Sequence, residues 1–351
     1  MSKSKISKSI TETSVRKKEH IELCLTDEVV FRSKTNGFDK YDFIHNAISE
    51  VDLSKISFQT KIFSKKISYP FLISCMTGGT KEAENINQRL AVIAEKLKIP
   101  IGVGSQRQAL ENKDNHNSYS IIRKTAKSVP VLGNIGAAQL VQSKNLSDIL
   151  SLSEMLEADA FVVHLNPLQE LLQPEGEPYF VGLLKKLEKL ILKSNVPIVI
   201  KEVGSGINKD AAKKLLNVGV SGIDVAGAGG TSWAGVEIMR SKAKNEFWDW
   251  GLPTSYCLKD IYPLKKKYKF TLIGSGGINS ANDLAMAFAF GADIVASARI
   301  ILQTLMKKDE GAVINIILSW FEYLKKVMFL TGSKNLNELR NKKVIKKEEL
   351  F

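Results

Sequence analysis

The sequence predicts an α/β protein whose main body is a (β/α)8 barrel, with an N-terminal arm and a C-terminal helical extension. Three observations predict this fold. Eight short apolar segments rich in β-branched residues alternate with eight segments of helical periodicity. Polar or glycine-rich turns follow most of the apolar segments, as at the carboxyl edge of a parallel barrel. The sequence lacks a dinucleotide-binding fingerprint, which would favour a doubly wound sheet.

The predicted elements follow one another along the chain in strict alternation. The strands are predicted at residues 71–75, 99–103, 129–132, 159–163, 196–200, 222–225, 270–273 and 294–296. The helices are predicted at residues 82–98, 118–127, 146–156, 179–193, 209–217, 254–267, 280–290 and from 300 onward. Residues 226–253 are predicted to be one long glycine-rich loop. The barrel is therefore expected over residues 69–310, after an arm at 1–68 that becomes helical near 13–24, and before an extension at 311–351.

Composition and cysteine usage predict a protein of the reduced cytoplasm. Hydrophobic residues make up 44% of the chain, which is typical of a protein with a full core. No apolar run approaches the roughly 18 residues that cross a bilayer, so the most apolar stretch, 313–321, is expected to be a buried or interface helix. The first 18 residues lack the apolar segment of a secretory signal. Cys24, Cys75 and Cys257 show neither metal spacing nor a disulfide framework.

The formal net charge is +13, and much of it lies at the two ends of the chain. Residues 1–18 carry six Lys or Arg against one Glu, and residues 306–351 carry ten against six acidic residues. Basic ends can bind nucleic acid. Because aromatic and basic residues are not interleaved and no nucleic-acid motif is present, we expect no nucleic-acid partner. An anionic small substrate explains the mildly basic interior equally well.

Polar groups follow seven of the predicted strands, where a parallel barrel gathers its turns at one face. They are Thr77, Ser105, Gln106, Arg107, Asn134, His164, Asn166, Gln169, Glu170, Lys201, Asp224, Thr231 and the turn 274–277. Any one of them could be an ordinary turn residue. Together they predict a binding or catalytic site at the carboxyl ends of the strands.

The densest group of these polar residues lies at 164–170, directly after the apolar strand 159–163. An imidazole, two amides and a carboxylate fall within seven residues, interrupted by Pro167. One interpretation is that these side chains cap the following helix. The other is that the strand end presents them for chemistry, and the polar turns elsewhere in the barrel favour it.

Glycines 274, 276 and 277 precede a helix that begins at Ser280, which predicts a phosphate site. Backbone N–H groups at a helix N-terminus favour an anion, and glycine lets the phosphate approach. Residues 297–299, after the eighth strand, would form the other wall. The alternative is that these glycines serve only a tight turn.

Lys201 ends an otherwise apolar strand, where a lysine is unfavourable unless it meets an anion. It could form a Schiff base or lie against an electron-rich cofactor, or it could extend to solvent as a surface lysine. The loops 77–79 and 226–231 would let a flat ligand approach the backbone. A phosphorylated planar cofactor is therefore expected, and FMN fits better than pyridoxal phosphate because several separate loops offer groups to a large ring.

Several motifs along the chain resemble those of one enzyme family. They are residues 16–20 (RKKEH), 76–79 (MTGG), 102–107 (GVGSQR), 164–170 (HLNPLQE), 201–204 (KEVG), 224–233 and 275–277 (SGG). In these motifs the chain resembles the type II isopentenyl-diphosphate isomerases, which are FMN-dependent (β/α)8 enzymes. The resemblance runs from Arg16 to about Arg340, and the run at 164–170 is its most specific part.

The resemblance implies roles for individual residues around the flavin. The flavin ring would be lined by Met76, Thr77, Gly78, Ser105 and Asn134. Lys201 would stabilise the anionic reduced ring at its N1/O2 edge, and Thr231 would hold the ribityl or phosphate region. The phosphate would be bound by Gly276, Gly277, Ala298 and Arg299.

The resemblance also implies how substrate and metal are bound. Substrate binding is implied for Arg16, Lys17, Ser105, Arg107, His164, Asn166 and Gln169. Glu170 would bind a Mg²⁺ ion that bridges to the substrate diphosphate. Gln169 would reach the reacting carbons and, with Lys201, is assigned to catalysis. The implied reaction is isopentenyl diphosphate to dimethylallyl diphosphate, in isoprenoid biosynthesis, with reduced FMN as the acid and base. NADPH would serve only to reduce the flavin, and a homo-oligomer, tetramer or octamer, is expected.

Four positions depart from the family pattern. Ala226 replaces a common flavin-contacting Ser, Asn279 a common Arg, Cys75 a smaller residue, and Cys257 a small residue. A catalytic Cys257 would resemble IMP dehydrogenase, but it follows Pro253 in helix-like sequence.

Two other functions explain less of the sequence than the isomerase does. A 2-hydroxy-acid oxidase on the same barrel needs a base histidine after the last strands, and no histidine follows residue 164. A non-enzymatic flavin or phosphate carrier whose basic ends bind RNA or anionic lipid would leave the cluster at 164–170 without a task.

Overall fold

The structure is a computed structural model that describes residues 15–242, 244, 246–340 and 344–350. Eight parallel strands close into a barrel in which each strand pairs with the next one along the chain. The eighth strand pairs with the first, with Val295 opposite Phe71. The strands are Phe71–Ile73, Ile101–Gly102, Val131–Gly136, Ala160–Leu165, Ile198–Glu202, Gly222–Asp224, Thr271–Gly274 and Ile294–Ser297. The predicted (β/α)8 barrel is confirmed.

Helices surround the barrel and follow each of its strands. The first described helix spans 15–25. The others are Lys81–Leu97, Arg107–Glu111, Asn117–Thr125, Ala137–Gln142, Leu146–Met155, Pro167–Leu172, Leu183–Lys193, Lys209–Asn217, Trp233–Ser241, Thr254–Ile261, Ala281–Ala289, Arg299–Lys307, Glu310–Leu330 and Leu336–Arg340. Several begin at side-chain caps. Thr80 accepts a hydrogen bond from the Ala83 amide, and Ser280 accepts one from the Asp283 amide.

The strands are apolar on both faces because each face meets a different core. Val199 lies in the barrel interior with Leu72 and Val162. Its neighbours Ile198 and Ile200 belong to the outer core between strands and helices. This alternation follows from the two-residue period of a strand. Burial on both sides explains why the sequence shows continuous apolar runs rather than an alternating pattern.

A hairpin closes the amino end of the barrel. Its strands, Thr60–Ile62 and Lys65–Ile67, pair antiparallel, and Ile62 and Phe63 pack against the interior cluster. Lys65 binds Asp159 at 3.0 Å, just before the fourth barrel strand. The open end of the barrel is therefore the carboxyl end, where the strands present their polar turns.

The segment 226–253, predicted to be a loop, contains the helix Trp233–Ser241, so that prediction was wrong. Ser232 caps this helix by accepting a hydrogen bond from the Gly235 amide at 2.9 Å. Trp248 packs so closely on Gly235 that a Cβ there would lie 2.7 Å from the indole ring. Tertiary packing therefore stabilises a helix that its own composition does not favour.

The helix predicted at 254–267 is shorter than expected. The α-helix ends at Ile261, and a 3-10 helix continues over Tyr262–Lys266. Pro263 explains the change, because its ring clashes with the preceding turn of an α-helix and it has no N–H to donate.

The C-terminal extension packs against the outside of the barrel. In the helix Glu310–Leu330, Val313, Ile317 and Phe321 are buried, as expected for the apolar stretch in this region. The strand Val344–Lys346 pairs antiparallel with Tyr41–Phe43, so the extension meets the lead-in to the barrel. Within the described ranges, none of the helices combines the length and apolar character needed to cross a membrane.

Candidate active site

A cavity of about 270 Å³ opens at the carboxyl ends of the strands. It brings together nearly all the residues that the sequence assigned to a site. Those lining it are Arg16, Lys17, Met76, Thr77, Ser105, Arg107, Asn134, His164, Asn166, Gln169, Glu170, Lys201, Thr231, Gly276, Gly277, Ala298 and Arg299. Gly78 lies beside the cavity, and its carbonyl oxygen accepts a hydrogen bond from Lys17. The structure therefore places one site where the sequence predicted it.

The N-terminal helix 15–25 lies over the mouth of this cavity. Arg16, Lys17, His20 and Cys24 all line it. Just beyond the helix, Asp27 binds Arg299 at 2.9 Å. The arm therefore forms part of the cavity wall over its described residues and is not a solvated tail there. Residues 1–14 lie outside the described residues.

The predicted phosphate site has the geometry of a backbone cradle. Gly276 has φ of 100°, and a Cβ there would lie 2.1 Å from the Gly227 carbonyl oxygen, so only glycine fits. The Thr254 hydroxyl donates to the Gly276 carbonyl oxygen at 2.7 Å and fixes the turn. Arg299 Nε is buried and has no hydrogen-bond partner among the described residues. A partly buried arginine with a free N–H donor beside a glycine turn fits a phosphate group.

Lys201 lies in the cavity with a carboxylate behind it. Its Nζ is 3.4 Å from Oδ2 of Asp224 and donates to the Glu202 carbonyl oxygen at 3.0 Å. Asp224 is buried and also accepts a hydrogen bond from Ser275. The lysine therefore does not reach to solvent as a surface residue. Its ammonium group could contact the electron-rich edge of a ring bound in this cavity.

Glu202 supports the turn next to Lys201. Its Oε2 accepts hydrogen bonds from four consecutive backbone amides, those of residues 203–206. Burial raises the pKa of Glu202 to about 7, although these bonds oppose the rise. Val203 and Gly204 line the cavity, so this carboxylate fixes part of its wall.

The side chains at 164–170 form two hydrogen-bonded groups, His164 with Asn134 and Asn166 with Gln169 and Glu170. His164 Nδ1 donates to Asn134 Oδ1 at 2.8 Å, because an amide oxygen can only accept. Burial, with Lys201 nearby, lowers the pKa of His164 to about 4, so the ring is neutral at pH 7. Asn166 Nδ2 donates to Glu170 Oε1 at 2.9 Å. Asn166 Oδ1 is buried without a partner among the described residues, which leaves it free to accept from a ligand.

Glu237, which the sequence did not single out, is a fully buried carboxylate next to this cluster. Its Oε1 accepts hydrogen bonds from Gln169 Nε2 at 2.9 Å and from His20 Nε2 at 3.0 Å. Its Oε2 accepts one from Arg240 at 2.6 Å. Burial raises its pKa, but the bond from His20 and the other partners outweigh burial and hold the pKa of Glu237 below its ordinary value. The group is ionised at neutral pH.

Arg16, Lys17 and Arg107 line the cavity and lie close enough for their charges to affect one another. Arg107 binds Glu111 at 3.0 Å and Glu177 at 3.5 Å. Burial and the positive charge of Arg16 lower the pKa of Lys17 to about 7. A bound anion would relieve this repulsion and restore the full charge of Lys17.

The cavity offers one acidic side chain that could bind a metal. Among the described residues, no group of three or more His, Cys, Asp or Glu side chains is arranged to hold a metal ion. Glu170 lies in the cavity, with its Oε2 accepting from the Glu177 amide at 2.8 Å. A single carboxylate fits Mg²⁺ only when the ion also binds ligand phosphates and water, which is its usual mode of binding.

The cysteines have different surroundings. Cys257 is buried outside the cavity, and burial raises the pKa of its thiol to about 12, which argues against a nucleophile. Cys75 and Cys24 line the cavity. Burial raises the pKa of Cys75 to about 11, so this thiol is also neutral.

Sequence reasoning missed Glu237 because it treated residues 226–253 as a loop. Ser232, three residues before Gly235, was the available sign of a helix start. It also missed Tyr119, whose hydroxyl donates to the Ser105 carbonyl oxygen at 2.9 Å. No local signal marks that residue, because its partners are distant in sequence.

Comparisons with known proteins agree with the barrel fold and identify the family. The model of the FMN-dependent dehydrogenase family matches residues 11–120 and 175–346. Isopentenyl-diphosphate delta-isomerase of Pelodictyon phaeoclathratiforme is 44% identical over 353 residues, covering 96% of this chain and 98% of that protein. The protein of the same name from Nostoc sp. is 42% identical over 336 residues, covering 94% and 95%.

Solved structures share the fold at much lower identity. Mandelate oxidase with (S)-2-phenylpropionate has a TM-score of 0.66 at 15% identity, over 92% of this chain and 91% of that one. A flavocytochrome b2 variant has a TM-score of 0.68 at 19% identity, over 93% and 82%. These likenesses concern the barrel alone. The family match and the near full-length relatives show that the chain belongs to the FMN-dependent dehydrogenase family and, within it, to the isopentenyl-diphosphate delta-isomerases.

Proposed function

We propose that this protein converts isopentenyl diphosphate into dimethylallyl diphosphate, a step of isoprenoid biosynthesis. One observation carries the proposal. A single cavity contains two separate sites suited to anions, the glycine turn with Arg299 and the group of Arg16, Lys17 and Arg107. A phosphorylated cofactor and a diphosphate substrate would use one each. The relatives named isopentenyl-diphosphate delta-isomerase support this assignment.

FMN fits the inner part of the cavity. Gly276, Gly277, Ala298 and Arg299 would hold its phosphate, and Thr231 the ribityl chain. The ring would lie against Met76, Thr77, Ser105 and Asn134, with Gly78 just behind. Lys201 would face the N1/O2 edge, where a cation favours the anionic reduced ring. When bound and reduced by NADPH, FMN supplies the acid and base for the isomerisation.

The substrate diphosphate would bind at the outer part of the cavity. Arg16, Lys17 and Arg107 would supply charge, and His164 and Ser105 line the same cavity. The neutral His164 ring carries an unprotonated Nε2, since Nδ1 donates to Asn134. An approaching diphosphate would raise its pKa and allow Nε2 to donate as well. Glu170, with Asn166 beside it, would bind a Mg²⁺ ion bridging to the diphosphate.

The hydrocarbon end of the substrate would lie near Gln169 and Trp233. The reaction adds a proton to the terminal CH2 of the alkene and removes another from the CH2 group bonded to the other alkene carbon, so charge and atoms balance. Gln169 is held by Glu237 at 2.9 Å and would position the reacting carbons. The ionised Glu237, fully buried, also favours positive charge that develops nearby. Trp233 contacts the His20 ring edge-on at 5.1 Å and would wall off the prenyl chain.

The alternative, an FMN-dependent 2-hydroxy-acid oxidase, has less support. That chemistry needs a histidine free to act as a base beside the flavin. Among the described residues, two histidines line the cavity, His20 and His164. His20 is bonded to Glu237, and burial lowers the pKa of His164 to about 4, so its free Nε2 is a weak base. A cytoplasmic location and a homo-oligomeric state, tetramer or octamer, remain predictions.

An anaerobic assay tests the proposed function. Purified protein is mixed with FMN, Mg²⁺, NADPH and isopentenyl diphosphate, and dimethylallyl diphosphate is measured. We expect product that disappears when the flavin stays oxidised or the metal is chelated. If the flavin is reduced but no product forms, the isomerase assignment is wrong and only the FMN site remains.

A further inference from the structure

Tyr119 lies outside the cavity lining, yet it joins the N-terminal helix to two loops of the site. It belongs to the helix Asn117–Thr125 and is fully buried. Its hydroxyl accepts a hydrogen bond from Lys17 Nζ at 3.0 Å and donates to the Ser105 carbonyl oxygen at 2.9 Å. The hydroxyl therefore uses both its donor and an acceptor position.

The Tyr119 ring supports the loop after the first barrel strand. A Cβ on Gly78 would lie 2.0 Å from Tyr119 Cε1, so this ring lies directly against the glycine. The neighbouring Ser118 hydroxyl accepts a hydrogen bond from the Gly79 amide at 2.7 Å. The helix Asn117–Thr125 therefore holds the loop 77–79 from behind.

Lys17 reaches the same point from the arm. Its Nζ donates to the carbonyl oxygens of Gly78 and Ser105, the latter at 3.3 Å, as well as to the Tyr119 hydroxyl. Gly78 and Ser105 belong to the loops after the first and second strands. One ammonium group thus bridges the arm and two loops of the cavity. Among the described residues, the Tyr119 hydroxyl is the only side-chain group that accepts a hydrogen bond from it.

We propose that Tyr119 is a positioning residue that latches the arm, through Lys17, onto the loops carrying Gly78 and Ser105. The latch fixes Arg16 and His20, one helical turn of the arm, over the cavity. Tyr119 would not touch substrate or cofactor. The inference rests on the proposed function only in assigning the latch to substrate binding; the docking of the arm itself does not depend on it.

Hydrogen exchange of the FMN-loaded full-length protein tests the latch without any substrate. Tyr119→Phe keeps the ring against Gly78 and removes only the hydroxyl. We expect exchange in residues 15–25 to rise about tenfold, the size expected for losing a hydrogen bond to a charged group, while the barrel strands keep their protection. Tyr268→Phe is the matched control, since it also removes one hydroxyl bond, to Asn217 at 2.7 Å, on the outside of the barrel.

A second variant shows whether the hydroxyl acts through Lys17. Lys17→Met is expected to raise exchange in residues 15–25 at least as much, and Tyr119→Phe added to it should change nothing further. Additive effects in the double variant would overturn the proposal, because the hydroxyl would then act independently of the lysine. Unchanged arm exchange in Tyr119→Phe, or faster exchange throughout the barrel, would overturn it as well.

Kinetics give the independent readout. The KM of Tyr119→Phe for isopentenyl diphosphate is expected to rise about tenfold with kcat within about twofold, because the arm binds substrate rather than reacting with it. A lower kcat at unchanged KM contradicts the latch. A wild-type protein with the predicted exchange behaviour but no isomerase activity refutes the proposed function and leaves the latch standing.

Discussion

Gln169 and Glu237 are hydrogen-bonded at 2.9 Å, although one follows the fourth barrel strand and the other lies on a helix after the sixth. The bond fixes which way the Gln169 amide faces: its NH2 group donates to Glu237, and its oxygen accepts from Asn166 at 3.2 Å. The amide is therefore held at both ends. A side chain held in this way can position a substrate at little further entropic cost.

Replacing Glu237 by Gln tests this relationship. The new amide keeps one carbonyl oxygen but replaces the other oxygen with an NH2 group and removes the charge, so Gln169, His20 and Arg240 cannot all keep their acceptor. We expect kcat/KM for isomerisation to fall by about 100-fold, with FMN affinity within about twofold. Steady-state kinetics and flavin titration measure the two quantities.

Glu175→Gln is the control for the Glu237 variant. Glu175 lies 3.4 Å from the same arginine, Arg240, but its side chain is 45% exposed. The Glu175→Gln variant should retain nearly full activity. Equal losses in the two variants would show that only the charge around Arg240 matters, and the role given to the Gln169 bond would be wrong.

The glycine turn predicts a selective loss of FMN in Gly276→Ala. A methyl group there would meet the Gly227 carbonyl oxygen, and the residue would keep a positive φ. We expect the Kd for FMN to rise at least about tenfold, since backbone N–H groups would be displaced from the phosphate. Gly182→Ala is the matched control, because Gly182 has φ of 83° but no atom within 4 Å of its Cβ position.

Both glycine variants carry the backbone strain of a positive φ, about 1 kcal/mol. Only Gly276→Ala adds a collision at the site. Unfolding curves should therefore show destabilisation in both, whereas flavin titration should separate them. Unaltered FMN binding in Gly276→Ala would show that the FMN phosphate does not bind at this turn.

The strand ends could be predicted from the sequence because their signals are local. A buried strand followed by Gly274 or by the polar run from His164 is visible without any knowledge of contacts. The hydrogen bond from Gln169 to Glu237 spans 68 positions and leaves no local signal. The same holds for the arm, since the sequence shows Arg16 and Lys17 as part of a basic tail. Only the family resemblance assigned them to the site.

The helix Trp233–Ser241 shows the other limit of local patterns. Its segment is rich in glycine and aromatic residues, which favour a loop by propensity. Packing of Trp248 on Gly235 and the Ser232 cap stabilise it instead. Such tertiary contacts override propensity, and for this reason the sequence did not reveal Glu237 as a candidate for the site.

Lys201→Met is expected to weaken both stability and the flavin site. It leaves Asp224, only 1% exposed, without the ammonium that lies 3.4 Å away. An uncompensated buried carboxylate lowers the free energy of unfolding by about 3 kcal/mol. Denaturant unfolding measures this loss of stability. The spectrum of the reduced flavin reports the loss of the cation at its edge.

The double variant Lys201→Met with Asp224→Asn separates these effects. Removing the carboxylate should recover more than half of the lost stability, while activity stays low because the cation at the flavin is still missing. Recovery of activity along with stability would show that Lys201 acts only as the partner of Asp224.

Glu170→Gln is expected to act through the metal. The amide keeps a carbonyl oxygen but loses the charge that favours a divalent ion, so the Mg²⁺ concentration for half-maximal activity should rise by about tenfold or more. A Mg²⁺ titration at saturating FMN measures it. Glu177→Gln removes a neighbouring carboxylate that binds Arg107 at 3.5 Å and should leave the titration unchanged. Identical Mg²⁺ curves for wild type and Glu170→Gln would refute the metal assignment.

His164 makes stability depend on pH in a defined window. Burial, with Lys201 nearby, lowers its pKa from 6.5 to about 4. Between these values the unfolded chain binds a proton that the folded chain does not, so stability falls as the pH drops through the window. His164→Gln can keep a donor to Asn134 and removes the titration. We expect the variant to lose less stability than wild type between pH 6.5 and 4, by up to about 3 kcal/mol.

Urea unfolding across this pH range measures the difference between the two proteins. His45→Gln is the control, since His45 is exposed and lies away from the cavity. The stability of His45→Gln should change with pH in the same way as the stability of the wild-type protein. Parallel curves for wild type and His164→Gln would mean that folding does not lower the pKa of His164. The ring would then be partly protonated at neutral pH, and substrate binding would take up less than one full proton at this residue.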